Sequence, residues 1–368
     1  MKVLIIYWGK RGGGCLYTYE LSKSLINNGV NVYFSLSLEN QISDKFKALN
    51  RPIFEINTFN NINEFFLNSF NINSIKIKLL KYINENKIDI ILCGMHHVWT
   101  PFIFPFIIKK NIPIVLVVHD ALIHPGDGAI IHQPLLNHSI KNSTAYIILS
   151  ESVKEVFINK FGNKKKIGLI PHGAFNYNIE DTKHKKIIDL NKSRITFFGR
   201  ISHYKGIDIL LDSWGIVHKS FPEAKLNIYG EGDLSKYVKK IESYPSINYT
   251  NRWISEAEIS EIFEKTDLVV LPYLEASQSG VIGIAHSNSI PVVVTPLKGL
   301  INQLQFGGGV ISEYIDSNSF ASSIISVLNN RTHYDELCKQ ASFSSKQYNW
   351  NTISLNVKKF LYDVLINK

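Results

Sequence analysis

The chain has 368 residues, 45% of them hydrophobic and only 19% charged, which supplies a large core and excludes disordered and fibrous classes. At roughly 100–200 residues per domain, the length implies about two domains. Lys and Arg number 40 against 31 Asp and Glu, for a formal net charge of +9, but Asn, Ile and Lys are all over-used, so part of that excess is composition drift.

The N-terminal apolar run, residues 3–8, is shorter than the roughly 7–15 residues of a secretory h-region and runs into Gly9-Lys10-Arg11. It reads as a first buried strand, 2–7. Further strands are expected at 31–37, 88–93, 113–119, 145–149 and 167–170, with helices between them such as 15–27 and 152–160. The stretch 176–192 is polar and charged and breaks this rhythm, so it reads as a linker. Beyond it, strands are expected at 194–198, 225–229, 246–249, 267–272 and 291–295, and helices at 206–219, 256–265 and 280–288. Such alternation implies parallel sheets with helices on both faces. Continuous apolar runs such as 114–118 and 268–271 fit strands buried on both sides. The apolar run 102–108 is broken by Pro105 and falls far short of the ~20 residues that cross a bilayer, so it reads as a buried helix. The three cysteines, Cys15, Cys93 and Cys338, fit neither a disulfide framework nor a zinc site. They point to a reducing, cytoplasmic setting.

Three segments carry the chemistry. Gly9-Lys10-Arg11-Gly12-Gly13-Gly14 joins the first strand to its helix, where glycines let a ligand approach the backbone and a helix N-terminus attracts anions. It is neither a dinucleotide fingerprint, because Tyr17 stands where the third Gly would fall, nor a phosphate-binding P-loop. Gly199-Arg200 and Lys205-Gly206 follow the strand 194–198, and a guanidinium fork and an ammonium held there can meet a pyrophosphate. The strand 267–272 ends in Tyr273-Leu274-Glu275-Ala276-Ser277-Gln278-Ser279-Gly280-Val281, whose amides at 279–281 are expected to point toward a phosphate or sugar oxygen.

Arg200 with Lys205-Gly206, the strand closing at Gly230-Glu231-Gly232, and the loop 272–281 resemble the donor half of glycosyltransferase family 4 over nearly the whole chain. The resemblance implies a GT-B fold, two facing Rossmann-like doubly wound α/β domains. These would be an acceptor-side domain at 1–175, a linker at 176–192, a nucleotide-sugar domain at 193–349, and a C-terminal helix at 350–368 packing back on the first. It implies transfer of a sugar from a UDP-, GDP- or dTDP-linked donor with retention at the anomeric carbon and no required metal. Arg200 and Lys205 would stabilise the leaving diphosphate, and His119 would contact the transferred sugar. Gly12, Gly13, Gly14, Gly199, Gly230, Glu231, Tyr273, Glu275, Gln278, Ser279, Gly280 and Val281 would form the donor site. The family's two glutamates, eight positions apart, would fall at Ala276 and Ile284; neither is acidic, and Glu275 lies one residue early. The chain is similar to a branch with a Ser/Thr-Gln-Ser-Gly-Val loop and an upstream Asn-Arg-aromatic segment, here Asn251-Arg252-Trp253, in which Gln278, Ser279 and Gly280 take over the contacts.

The histidines are concentrated in the first half. The spacing of His119, Asp120 and His124 matches no metal motif, so His96, His97, Asp120, His124 and His172 are read as acceptor or sugar contacts, each weighed against a structural role. Residues 98–110 and the lysines at 164–166 and 183–186 would face an anionic membrane or a lipid-linked acceptor, or are ordinary buried and solvated segments. No nucleic-acid motif accompanies them. Two other readings stay open: a nucleotide-sugar epimerase on the same fold, and a sugar-binding subunit without catalysis.

Overall fold

The computed structural model describes residues 1–59, 62–123, 129–175 and 189–367. The chain divides into two compact units, Met1–Gly173 with Trp350–Lys368, and Ala174–Asn349. The first unit holds β1 (Lys2–Tyr7), β2 (Asn31–Ser37), β3 (Ile53–Ile56), β4 (Ile90–Cys93), β5 (Ile114–Val118), β6 (Ala145–Ile148) and β7 (Lys166–Leu169). They form one parallel sheet in the order β3-β2-β1-β4-β5-β6-β7. The second unit holds β8 (Arg194–Phe198), β9 (Lys225–Gly230), β10 (Ile247–Asn251), β11 (Leu268–Leu271), β12 (Val292–Val294) and β13 (Gly309–Ile311), parallel in the order β10-β9-β8-β11-β12-β13.

The sequence dictates this directly at the sheet centres. β5 reads Ile-Val-Leu-Val-Val and β11 reads Leu-Val-Val-Leu, and every one of those side chains is buried. Helices cover both faces of each sheet, so central strands have no polar side, and each such side chain contributes about 1.5–3 kcal/mol on burial. Edge strands depart from this rule. β7, Lys-Ile-Gly-Leu, is half exposed. There Gly168 lies against the Phe360 ring of the C-terminal helix Trp350–Ile366, and a Cβ at Gly168 would come within 2.9 Å of it. That helix is tied to the helix Gly13–Asn27. Ser24 Oγ donates to the Trp350 carbonyl (2.9 Å), Asn28 Nδ2 to Ser354 Oγ (2.8 Å) and Lys358 Nζ to the Asn28 carbonyl (2.8 Å).

Two strands had no counterpart in the sequence reading. β3 is four residues long, and β13 begins inside Gly307-Gly308-Gly309, which looks like a turn. The apolar run 102–108 lies in the helix Thr100–Ile108, but it is not buried all round. Ile103, Phe104 and Ile107 enter the core while Phe102 (54%) and Phe106 (39%) are exposed. A helix on the surface of a sheet has only one face to bury.

Strand order reverses at β1/β4 in the first sheet and at β8/β11 in the second. Such a switch point leaves a crevice at the carboxyl ends of the strands, where open α/β sheets bind their ligands. The loops that follow β1, β4 and β5, and those that follow β8, β9 and β11, carry nearly all of the expected site residues.

Candidate active site

In the second unit the loop after β8 lies against the loops after β9 and β11. The Gly199 amide donates to the Tyr229 carbonyl and the Ile201 amide to that of Glu231, both at 2.9 Å. Gly230 fits there only because it has no side chain: a Cβ would stand 1.8 Å from the Gly199 carbonyl oxygen, and its φ is +152°. Arg200 and Glu231 are exposed. Lys205 reaches back over β11's loop, its Nζ 3.6 Å from the centroid of the Tyr273 ring. Tyr273 is fully buried, and its hydroxyl lies 3.3 Å from Ser279 Oγ. A cation on a buried ring face is held by the ring quadrupole, so the Tyr273 ring helps to place Lys205.

The loop 273–279 is fastened along its length. Thr295 Oγ1 donates to the Tyr273 carbonyl (2.6 Å), and the Leu274 amide donates to the Tyr204 carbonyl (2.8 Å). Ser279 caps the helix Gly280–Ser287, yet its side chain faces Tyr273 and makes no capping bond. The expectation that amides 279–281 all face a ligand is corrected at Ser279, because its N–H donates to Gln303 Oε1 (2.7 Å). Gly280 and Val281 begin the helix, where the first amides have no intrahelical acceptor. Gln278 is half-buried and Glu275 exposed, while Ala276 is half-buried and Ile284 buried, so no carboxylate stands at either of the family's glutamate positions.

In the first unit Gly12 precedes the helix Gly13–Asn27 with φ +92°, and a Cβ on Gly12 or Gly13 would meet nothing within 4 Å. The open backbone leaves room beside the helix N-terminus. One turn on, Tyr17 is fully buried, with its ring centroid 5.1 Å from those of His119 and His172 and 5.5 Å from that of Trp350. Among the described residues its hydroxyl has no hydrogen-bond partner.

His119 follows β5, and its Nε2 lies 2.9 Å from the Gly94 carbonyl. A carbonyl only accepts, so the proton is on Nε2 and Nδ1 carries the lone pair. Burial lowers the His119 pKa, with the Gly94 bond and Asp120 opposing, so the ring is neutral. His172 donates from Nδ1 to the Gly173 carbonyl (2.6 Å), and burial takes its pKa down to about 4.

The structure separates the remaining histidines from this group. His97 sits among Trp8, Phe59 and Trp99, accepts the Trp99 amide at Nδ1 (3.3 Å), and is lowered to about 3 by burial. His96 Nδ1 lies 3.1 Å from Thr100 Oγ1 and 3.0 Å from Ser139 Oγ, and burial lowers the ring to about 4. His124 and residues 183–186 lie outside the described residues. No group of three His, Cys, Asp or Glu among the described residues could hold a metal ion, and no helix there is long and apolar enough to cross a membrane.

Sequence reasoning missed Tyr17 as a site residue, although the failed glycine fingerprint pointed at its position. It also missed Ser202, whose buried hydroxyl has no partner among the described residues, and Gln303, which nothing local distinguishes from a solvated helical glutamine.

Comparison with known proteins finds similarity to glycosyltransferases over both halves of the chain. The family described as Glycosyltransferase Family 4 matches residues 11–174, and Glycosyl transferases group 1 matches residues 192–330. An uncharacterised glycosyltransferase of Haemophilus influenzae is 22% identical over 208 residues, covering 55% of this chain and 56% of that one. Mannosylfructose-phosphate synthase of Agrobacterium fabrum is 21% identical over 227 residues, covering 54% and 48%. The chain thus spans about half the length of the curated relatives it matches. Among solved structures, Anabaena HepE in complex with UDP-glucose superposes with a TM-score of 0.77 at 17% identity, over 99% of this chain and 100% of that one. The fold is therefore GT-B, with two Rossmann-like domains, and the two matched regions take in most of the sequence. Two glycosyltransferase family models thus match this chain, one over 11–174 and the other over 192–330.

Proposed function

We propose that this protein is a glycosyltransferase that moves a sugar from a nucleotide-sugar donor to a glycan or lipid-linked acceptor with retention of anomeric configuration, in cell-surface polysaccharide synthesis. One observation carries the reading. At the switch point of the second sheet, Arg200 and Lys205 lie in the loop beside the one that opens the helix at Gly280, and positions 276 and 284 are Ala and Ile rather than glutamates. That is an anion site built from cations and backbone amides, which suits a diphosphate. HepE binds UDP-glucose on the same fold, and this supports a UDP-linked donor here, with GDP- and dTDP-linked sugars as competitors.

The chemistry follows from the side chains. The bond between the anomeric carbon and the diphosphate oxygen breaks, and a bond to an acceptor oxygen forms as that hydroxyl loses its proton. Arg200 and Lys205 neutralise the charge that builds on the departing diphosphate, an electrostatic effect that grows toward the transition state. His119 presents Nδ1 as an acceptor to a sugar hydroxyl and orients it. Retention places donor and acceptor on one face of the sugar ring. The exposed Phe102 and Phe106, with Lys76 Nζ 3.8 Å from the Phe106 ring centroid, suit an acceptor held at an anionic membrane surface.

A thermal-shift screen of UDP-, GDP- and dTDP-linked sugars tests the donor, since a ligand of the folded state raises stability by RT ln(1 + [L]/Kd). A shift with one nucleotide series, followed by a glycosidic product, is the expected result. Release of an isomerised nucleotide sugar without acceptor would convert the reading to an epimerase, and binding without any product to a sugar-binding subunit.

A further inference from the structure

We infer that Gln303 is a positioning residue of the donor loop: its amide grips the backbone of Ser279 from both sides and so fixes the first amides of the helix Gly280–Ser287. The Ser279 N–H donates to Gln303 Oε1 at 2.7 Å, and Gln303 Nε2 donates to the Ser279 carbonyl at 3.0 Å. The two bonds together hold both peptide groups that flank the Ser279 Cα, and so fix that residue's place and rotation. At neutral pH, where a carboxylate only accepts, a primary amide on a side chain of this length gives one donor and one acceptor side by side.

The helix Lys298–Gln303 is itself pressed onto the loop. A Cβ on Gly299 would stand 2.3 Å from the Ser277 carbonyl oxygen and 2.6 Å from that of Ala276. Gly299 and Gln303 are one helical turn apart and so share a face. One abuts 276–277 and the other holds 279, while Thr295 Oγ1 and Tyr204 hold 273 and 274. In the family resemblance this loop carries a glutamate at 276, which binds the donor directly. Here the loop has no acidic residue at 276 or 284, and on the donor reading its contacts pass to Gln278, Ser279 and the backbone. Backbone donors cannot swing to meet a ligand as a glutamate can, so their affinity depends on being held in place beforehand.

The inference rests on the donor reading above, and the experiment separates the two. Binding of UDP-, GDP- and dTDP-glucose to the full-length protein is measured by calorimetry, and the one that binds wild type best is carried forward. Gln303→Ala should raise its Kd about tenfold. Gln303→Glu keeps the acceptor but turns a charged oxygen toward the Ser279 carbonyl, so at pH 8 its Kd should rise at least as much. At pH 5 the carbonyl favours the protonated carboxyl, which again donates as well as accepts, and the ratio of variant to wild-type Kd should fall several-fold. A role confined to stability would lower the melting temperature of both variants and leave that ratio flat with pH. Wild-type binding with unchanged Kd in both variants, or a flat ratio, overturns the positioning role alone. No binding of any of the three by wild type overturns it together with the donor reading.

Discussion

The candidate site residues of the two units hold charge in opposite ways. In the second unit the groups proposed to act are cations after β8, Arg200 exposed and Lys205 resting on the face of Tyr273. In the first unit they are imidazoles kept neutral: burial lowers His119, and takes His172 to about 4 among the rings of Tyr17 and Trp350. The contrast has a chemical sense. A diphosphate needs fixed positive charge, whereas a sugar needs hydrogen-bond partners of defined direction, and a neutral ring with one pinned nitrogen supplies that. The first half should therefore be sensitive to acid and to changes in packing, and the second to loss of charge.

The largest effect expected is on the charged half. Arg200→Ala and Lys205→Ala should each lower donor-dependent turnover by roughly 10²–10³, the usual effect of removing one transition-state donor. The melting temperature of the Arg200 variant should stay near wild type, because Arg200 is exposed, while Lys205→Ala also loses the contact with the Tyr273 ring. Steady-state transfer or donor hydrolysis assays read this out, and turnover preserved in both variants would remove the electrostatic account.

Next in size is a stability effect at the opposite end of the same sheet. Asp267, buried, receives Arg194 through Nε (2.9 Å) and Nη2 (2.8 Å), and also the Arg194 amide (2.8 Å). This bidentate pair joins β8 to β11 below the site. Asp267→Ala leaves a partly buried guanidinium unpaired and should cost about 3 kcal/mol in urea unfolding. A loss below about 1 kcal/mol would mean that solvent already satisfies Arg194.

These two predictions also mark what the sequence could reveal. The strands at the sheet centres were legible because burial on both faces demands unbroken apolar runs. Gly199-Arg200 and Lys205-Gly206 were legible as candidates for a phosphate site because they sit beside each other in the chain, and the structure places both after β8. What stayed hidden depends on partners distant in sequence. Gln303 reaches Ser279 across 24 positions, and Tyr17 meets His172 and Trp350 only once the C-terminal helix docks on the first unit. The amide of Ser279 was misjudged for the same reason: a backbone donor is free or spoken for according to the fold. Phe102 and Phe106 were misjudged because composition cannot say which side of an apolar helix faces out.

A third prediction concerns acid. His96, His97 and His172 are lowered to about 4, 3 and 4 by burial. Each is protonated in the unfolded chain below about pH 6.5 but not in the folded one. The unfolded state then binds more protons, so stability is full above that pH and is lost as pH falls toward 4. Replacing His97 with Phe, which suits the pocket of Trp8, Phe59 and Trp99, should remove roughly 2 kcal/mol of the stability difference between pH 7 and pH 5. Urea midpoints at the two pH values measure it, and an unchanged difference would place His97 in contact with solvent.

The smallest effect expected sharpens the comparison most. Tyr17 is fully buried, and among the described residues its hydroxyl has no partner. Leaving a hydroxyl unpaired in such a place costs about 1–3 kcal/mol, a cost with no structural return, since the ring alone fills the space between His119, His172 and Trp350. Tyr17→Phe should therefore raise stability, by about 1 kcal/mol, which is unusual for a core substitution. If that hydroxyl serves the sugar, the same variant should lose donor-dependent turnover while gaining stability. The opposite signs of the two changes are the test. A variant that is more stable and fully active would show that Tyr17 only packs, and one that is less stable would show that the hydroxyl is already satisfied in the folded protein.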